Sequence, residues 1–226
     1  MTRELVIAAY DRYLDWLDSV NADVKQTVYR KGDEPAQRDN EIKLEPNKGR
    51  CVHTFFNHIY NNYDNLSDIT FFCQDYPFDH WEDVIDVVNN CTEESRCQLK
   101  IGGYYGFHFN TILIPSSLGG RMWDLSPSKH HENGRVLICN NDGTPQADPS
   151  HFHINLEQYW SIFFKQVPPP VEYEFVPGGH FGITREHVQL RSKEFYKKVC
   201  DLLIEDINAP WTIERLECYI FNPNIR

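Results

Sequence analysis

Nowhere in the 226 residues do two cysteines form a CxxC pair, and no apolar run approaches the ~20 residues that a membrane-spanning helix needs. The first absence removes the common zinc and dithiol frameworks; the second leaves no membrane span to expect. Basic residues are scarce too. Against 33 Asp and Glu stand 22 Lys and Arg, a formal charge of −11. Nucleic-acid backbones and anionic membranes recruit proteins through basic surface and counterion release, so no nucleic-acid partner is expected. Any anionic ligand must be met by a local group of positive charges. Repeats and low-complexity tracts are also missing.

The seven cysteines, at 51, 73, 91, 97, 139, 200 and 218, are odd in number, and several sit inside apolar runs, as buried free thiols do. That usage predicts a reducing compartment and a soluble, cytoplasmic protein. The length suits one domain, residues 1–226, standing alone or as part of a longer enzyme.

Residues 4 to 10, "ELVIAAY", read as a strand buried on both faces, the kind found inside a parallel sheet. Asp11 can cap a helix carrying Tyr13, Trp16, Leu17 and Val20 at helical spacing, and "VKQTVYR" supplies a second strand. A long polar loop follows. Val52, Phe55, Phe56, Ile59, Tyr60 and Tyr63 then mark an amphipathic helix, which leads through "DNLSD" into a strand from Ile69 to Cys73. Helical spacing resumes from Trp81 to Val88. Residues 89 to 150 read as an irregular, acceptor-side region with antiparallel ribbons such as "YYGFHFNTILI" and "RVLICNN". Asn155 and Gln158 form a capping box for the next helix. An edge or antiparallel strand broken by Gly178 and Gly179 comes next, and two helices end the chain, the second opened by Pro210.

Ligands of open α/β sheets sit beyond the carboxyl ends of the strands. Three groups fall there: Tyr10 with Asp11, "CQDYPFDH", and "PGGHFGITR". Asp75, Asp79 and His80 offer two hard carboxylates and an imidazole, suited to Mg2+ or Mn2+ shared with a diphosphate. Equally, Asp75 and Asp79 suit a turn around Pro77, with Asp79 capping the helix near Trp81. His180 is a further candidate ligand or a packed core residue. Arg30, Lys31, Arg50 and Arg185 are candidates for phosphate, or surface ion pairs. Glu214 follows "PW" at a helix start, where a carboxylate gains from the helix dipole and can act as a general base. His151 and His153 have one-face spacing for a zinc clip but lack an evident third ligand.

Together, "GRCVHTFFNHIYNNYDNLSDITFFCQDYPFDH", "PGGHFGITREHV" with "EFYKKV", and "PWTIERLECYIF" resemble the signature blocks of a family of fungal and algal-virus proteins. In that family an H-T-Y/F-L-type helix leads to a strand ending F-x-Q-x-x-P-F-D-H. Its viral members are similar to nucleotide-sugar glycosyltransferases of the GT-A type. The resemblance implies a GT-A-like (Rossmann-like) α/β fold with a mixed, mainly parallel sheet flanked by helices. It implies a metal-assisted transferase, acting in the host cytoplasm if viral, that moves a hexosyl or deoxyhexosyl unit of glucose or rhamnose type. The donor would be a UDP-sugar and the acceptor an oligosaccharide or glycoprotein glycan. Carried over by position, Ala8, Ala9, Tyr10 and Asp11 contact the nucleotide, with Gln74, Gly179 and Arg30 or Arg185 near the phosphates and sugar. Asp75, Asp79, His80 and His180 attend Mn2+ or Mg2+, and Glu214 is the base, with Asp79 a second catalytic candidate. The usual Asp-x-Asp is absent. The aromatics of 104–123 and 159–164 suit sugar stacking or the core. The alternatives are a metal-dependent hydrolase and a non-catalytic carbohydrate-binding module.

Overall fold

A computed structural model describes residues 1–79, 81–92, 156–170, 172–175, 179–222 and 224–225, with the backbone of four short strands between 104 and 136. The fold is α/β. Its sheet has six strands in the order β3-β2-β1-β4-β10-β5. They are β1 (Arg3–Ala9), β2 (Val24–Arg30), β3 (Ile42–Lys43), β4 (Ile69–Gln74), β5 (Tyr104–Gly106) and β10 (Phe181–Thr184). The first four are parallel, and β10 runs antiparallel to both its neighbours. The sheet is therefore mixed, and of the two expectations for this segment, an edge or an antiparallel strand, β10 is the antiparallel strand and is internal. Short antiparallel pairs join β6 (Ile112–Pro115) to β9 (Glu172–Phe175) and β7 (His131–Glu132) to β8 (Arg135–Val136).

The continuous apolar run of β1 is buried on both faces because each face carries its own core. Leu5, Ile7 and Ala9 pack with Leu14, Leu17, Phe71, Trp81, Val84 and Val88 on one side. Val6 and Ala8 pack with the helices on the other. Those helices are α1 (Arg50–Asn62), α3 (Leu156–Phe164), α5 (Lys193–Glu205) and α6 (Ala209–Ile220); α2 (Val84–Asn90) covers the opposite face, and the one-turn α4 (Arg185–Val188) follows β10. Phe55 of α1 lies 5.3 Å from Phe72 and 5.9 Å from Phe181, ring centre to ring centre. Burying each such ring stabilises the fold by roughly 2–3 kcal/mol.

Several local expectations are corrected. The helix expected from Asp11 to Val20 is a 3-10 turn over Asp15–Ser19, with Asp11 exposed and Leu14 before the turn. The amides of Tyr10, Asp11 and Arg12 are instead held by the Asp75 side chain, and that of Leu14 by Gln37. The helix expected from Trp81 begins at Val84, so Asp83 and not Asp79 precedes it. Tyr159, Trp160, Phe163 and Phe164 are core residues and offer no sugar platform. Five described cysteines, Cys51, Cys73, Cys91, Cys200 and Cys218, are free thiols. Asn155, Gly178, His151, His153 and the side chains of 104–123 lie outside the described residues.

Candidate functional site

The chain leaves β1 over one face of the sheet and enters β4 from α1 on the other. Connections that diverge this way leave a crevice beyond the carboxyl ends of the two strands. A cleft of about 460 Å³ lies there, lined by residues 8–12, Lys31, residues 47–51, Gln74 and Asp75. Of the residues expected at the site, Ala8, Ala9, Tyr10, Asp11, Lys31, Arg50, Gln74 and Asp75 line this one cleft.

Asp75 builds the wall. Its Oδ2 accepts from the backbone N–H of Tyr10 (2.8 Å), Asp11 (3.2 Å) and Arg12 (3.1 Å), and its own carbonyl accepts from Trp16 Nε1 at 2.8 Å. One carboxylate oxygen thus replaces the helix that does not form after β1. Tyr10 is 55% exposed, with its ring beside Gly32.

Across the cleft is the start of α1. Gly49 occupies the N-cap position in a left-handed conformation (φ 70°) and Arg50 also has positive φ (52°). Glycine has no side chain to cap the first-turn amides. The buried Lys31 ammonium fixes the turn, donating to the carbonyls of Lys48 and of Arg50 (2.9 Å) and lying 3.4 Å from His53 Nδ1. Burial lowers the Lys31 pKa to about 8. At Gly49 an added Cβ would meet His53 Cβ at 2.6 Å and the Leu203 carbonyl oxygen at 2.8 Å. Gly49→Ala is therefore expected to cost about 2–4 kcal/mol in urea unfolding, from backbone strain plus overpacking. A loss below about 1 kcal/mol would show that the turn can move aside.

Cys51 joins the cleft to the far end of the chain. Its Sγ accepts from Gln74 Nε2 at 3.5 Å and lies 4.0 Å from where a Cβ on Gly179 would sit. That same point is 3.8 Å from Glu214 Cγ. Gly179 has φ 63°, a backbone geometry that favours glycine. Burial raises the Cys51 pKa to about 12, which keeps it a thiol. Arg50 lies 4.4 Å over the ring of Trp211, in the first turn of α6; Glu214 is the sixth residue of that helix, past the first turn where the sequence placed it. Glu214 is mostly buried, with Oε2 3.7 Å from Arg215.

Two expected phosphate ligands are elsewhere. Arg30 is buried with its guanidinium on Glu41 and on the Tyr10 carbonyl (2.9 Å), so it braces the loop from behind. Arg185 is paired with Asp68. Because β10 is antiparallel, its carboxyl end meets the amino end of β4: Thr184 pairs with Ile69, and Arg185 N–H donates to the Asp68 carbonyl at 3.2 Å. Six residues of β4 separate that point from Gln74, roughly 20 Å of strand.

The described donors do not fit a divalent metal. Asp75 Oδ2 is occupied by three amides, and His180 is buried at the start of β10. Among the described residues no group of three His, Cys, Asp or Glu side chains gathers to hold an ion. The side chains of Asp79, in a short 3-10 turn, and His80 lie outside the described residues. The cleft is instead basic in an acidic protein: Arg12, Lys31, Lys48 and Arg50 line it against Asp11 and Asp75. The sequence reading does not single out Arg12, Asn47, Lys48, Gly49 or Cys51. The available signal is the run "NKGRC", two cations around a glycine at the start of the most amphipathic helix.

No curated protein and no solved structure matches the chain. A family model described as a protein of unknown function, DUF3431, matches residues 5–223, from β1 to just beyond α6. The chain thus belongs to the DUF3431 family.

Proposed function

We propose that the protein is a glycosyltransferase of the GT-A type. In this reading the cleft takes a UDP-sugar, whose hexosyl or deoxyhexosyl unit passes to a hydroxyl of an oligosaccharide or glycoprotein glycan. The observation that carries the reading is the meeting of a basic cleft with a carboxylate at the carboxyl ends of β1 and β4. Residues 8–12, Gln74 and the α1 turn form the cleft, and Gly179 and Glu214 stand behind Cys51 at its edge. A nucleoside diphosphate suits it because one half offers an exposed aromatic, Tyr10, and the other offers Lys48 and Arg50.

The steps follow from these groups. Tyr10 and the backbone of Ala8–Asp11 hold the uracil. The acceptor oxygen attacks the anomeric carbon while the bond from that carbon to the β-phosphate oxygen breaks, and the bonding pair leaves with UDP. In an inverting reaction the acceptor proton passes to Glu214. Lys48 and Arg50 oppose the charge that grows on departing UDP. Mn2+ or Mg2+ would serve the same charge as a Lewis acid, but the described donors do not assemble to hold one.

A thermal-shift panel of UDP, UDP-glucose and UDP-rhamnose, each with and without Mn2+, tests the reading. At least one compound is expected to raise the melting temperature. Glu214→Gln should keep that shift and lower transfer by about 10²–10⁴-fold, the range for loss of a general base. The absence of a shift with every UDP compound would overturn the assignment.

A further inference from the structure

We infer that the phosphate half of the cleft is complete without a metal ion: Lys48, Arg50 and Arg12 are the counter-charge for a diphosphate. The inference rests on the donor-site reading and goes beyond it, since the resemblance noted in the sequence implies a metal-assisted diphosphate.

Three observations support it. Four basic residues line a cleft in which the acids are Asp11 and Asp75. Asp75 Oδ2 already accepts from three amides of the β1 loop. Lys31 is held by two backbone carbonyls of the α1 turn, which leaves the exposed Lys48 and Arg50 side chains to reach a ligand from a fixed backbone. Stacking on Trp211 holds the Arg50 guanidinium on the side of the cleft nearest Glu214. The first-turn amides of α1 add to the field, because Gly49 leaves them uncapped by a side chain.

The test is isothermal titration of the full chain with inorganic pyrophosphate and with UDP, in EDTA and again in Mn2+. Pyrophosphate and UDP are both expected to bind in EDTA, and more weakly as salt rises. Lys48→Glu, at an exposed position, should weaken both by at least about 30-fold, the loss of one charge-assisted contact plus the reversed charge. Lys48→Ala/Arg50→Ala should do the same, with the far-UV circular dichroism unchanged. Binding of UDP that requires Mn2+ would overturn the inference and leave the donor reading standing. Metal-free binding of pyrophosphate with no gain for UDP would do the reverse. Binding in EDTA that ignores both variants, or no binding under any condition, also overturns it.

Discussion

Asp75→Ala is expected to lower the unfolding free energy by about 4 kcal/mol, the largest single-residue loss predicted for the cleft. Its Oδ2 is the shared acceptor for the amides of Tyr10, Asp11 and Arg12. Removing it leaves three part-buried donors short of a partner at once, and each unsatisfied group costs about 1–3 kcal/mol before relaxation toward water. The Trp16 contact uses the backbone carbonyl of residue 75 and survives the substitution. Asp75→Asn keeps an oxygen at the same place and should lose only about 1–2 kcal/mol, the difference between a charged and a neutral acceptor. Urea unfolding of the two variants beside the wild type measures this. Were Asp75 chiefly a metal ligand, the alanine variant would keep its stability and lose only metal-dependent behaviour. A change under about 1 kcal/mol for Asp75→Ala would therefore reverse the role given to it here.

Stability should also fall by several kcal/mol as pH drops from 6.5 towards 4, through two buried histidines. His53 is held to a pKa of about 4 by burial and then by the Lys31 charge. His58 is likewise lowered to about 4, by burial first, with Glu4 opposing and Lys25 adding. In the unfolded chain both titrate near 6.5. Between those values the unfolded chain binds protons that the folded protein refuses, so the stability present above pH 6.5 is lost as pH falls towards 4. From pH 6.5 to 5, above most carboxylate titration, the loss is about 2 kcal/mol for each histidine. That is a large part of the 5–15 kcal/mol typical of a domain. His58→Gln, able to replace the bond to Tyr29 at 3.1 Å, should remove about half of the slope. A flat unfolding free energy from pH 7 to 5 would contradict both assignments.

What could be read from the sequence was whatever its local pattern determines. The run in β1 announces a strand buried on both faces, and the spacing of Val52, Phe55, Phe56 and Ile59 announces α1, because burial alone fixes both. The span after β1 misled, since Tyr13 and Trp16 keep helical spacing while the nearby amides are taken by an acid 63 to 65 residues away. No local propensity carries that information. Arg185 misled for a topological reason: whether a residue just after a strand lies at the cleft or at the far edge depends on the strand's direction, which "FGIT" does not encode. Arg30 was placed at the right strand end, but its pairing partner Glu41 sits within a polar loop that gives no sign of folding back. Of the basic cluster, Lys31 and Arg50 were singled out and Arg12 and Lys48 were not, because the four are dispersed in an acidic chain and gather only when β1, β2 and α1 come together.

The pairing of β10 with β4 has a consequence for the path of the chain. Every residue lining the cleft lies at or before Asp75, whereas Gly179 and Glu214 come after a long stretch of chain. The sheet ties off that stretch through Phe72 and Phe181, which are register partners with ring centres 4.9 Å apart. That single antiparallel pairing returns the chain to the cleft, holding Gly179 beside Glu214 and Cys51 although 104 residues separate Gly179 from Asp75.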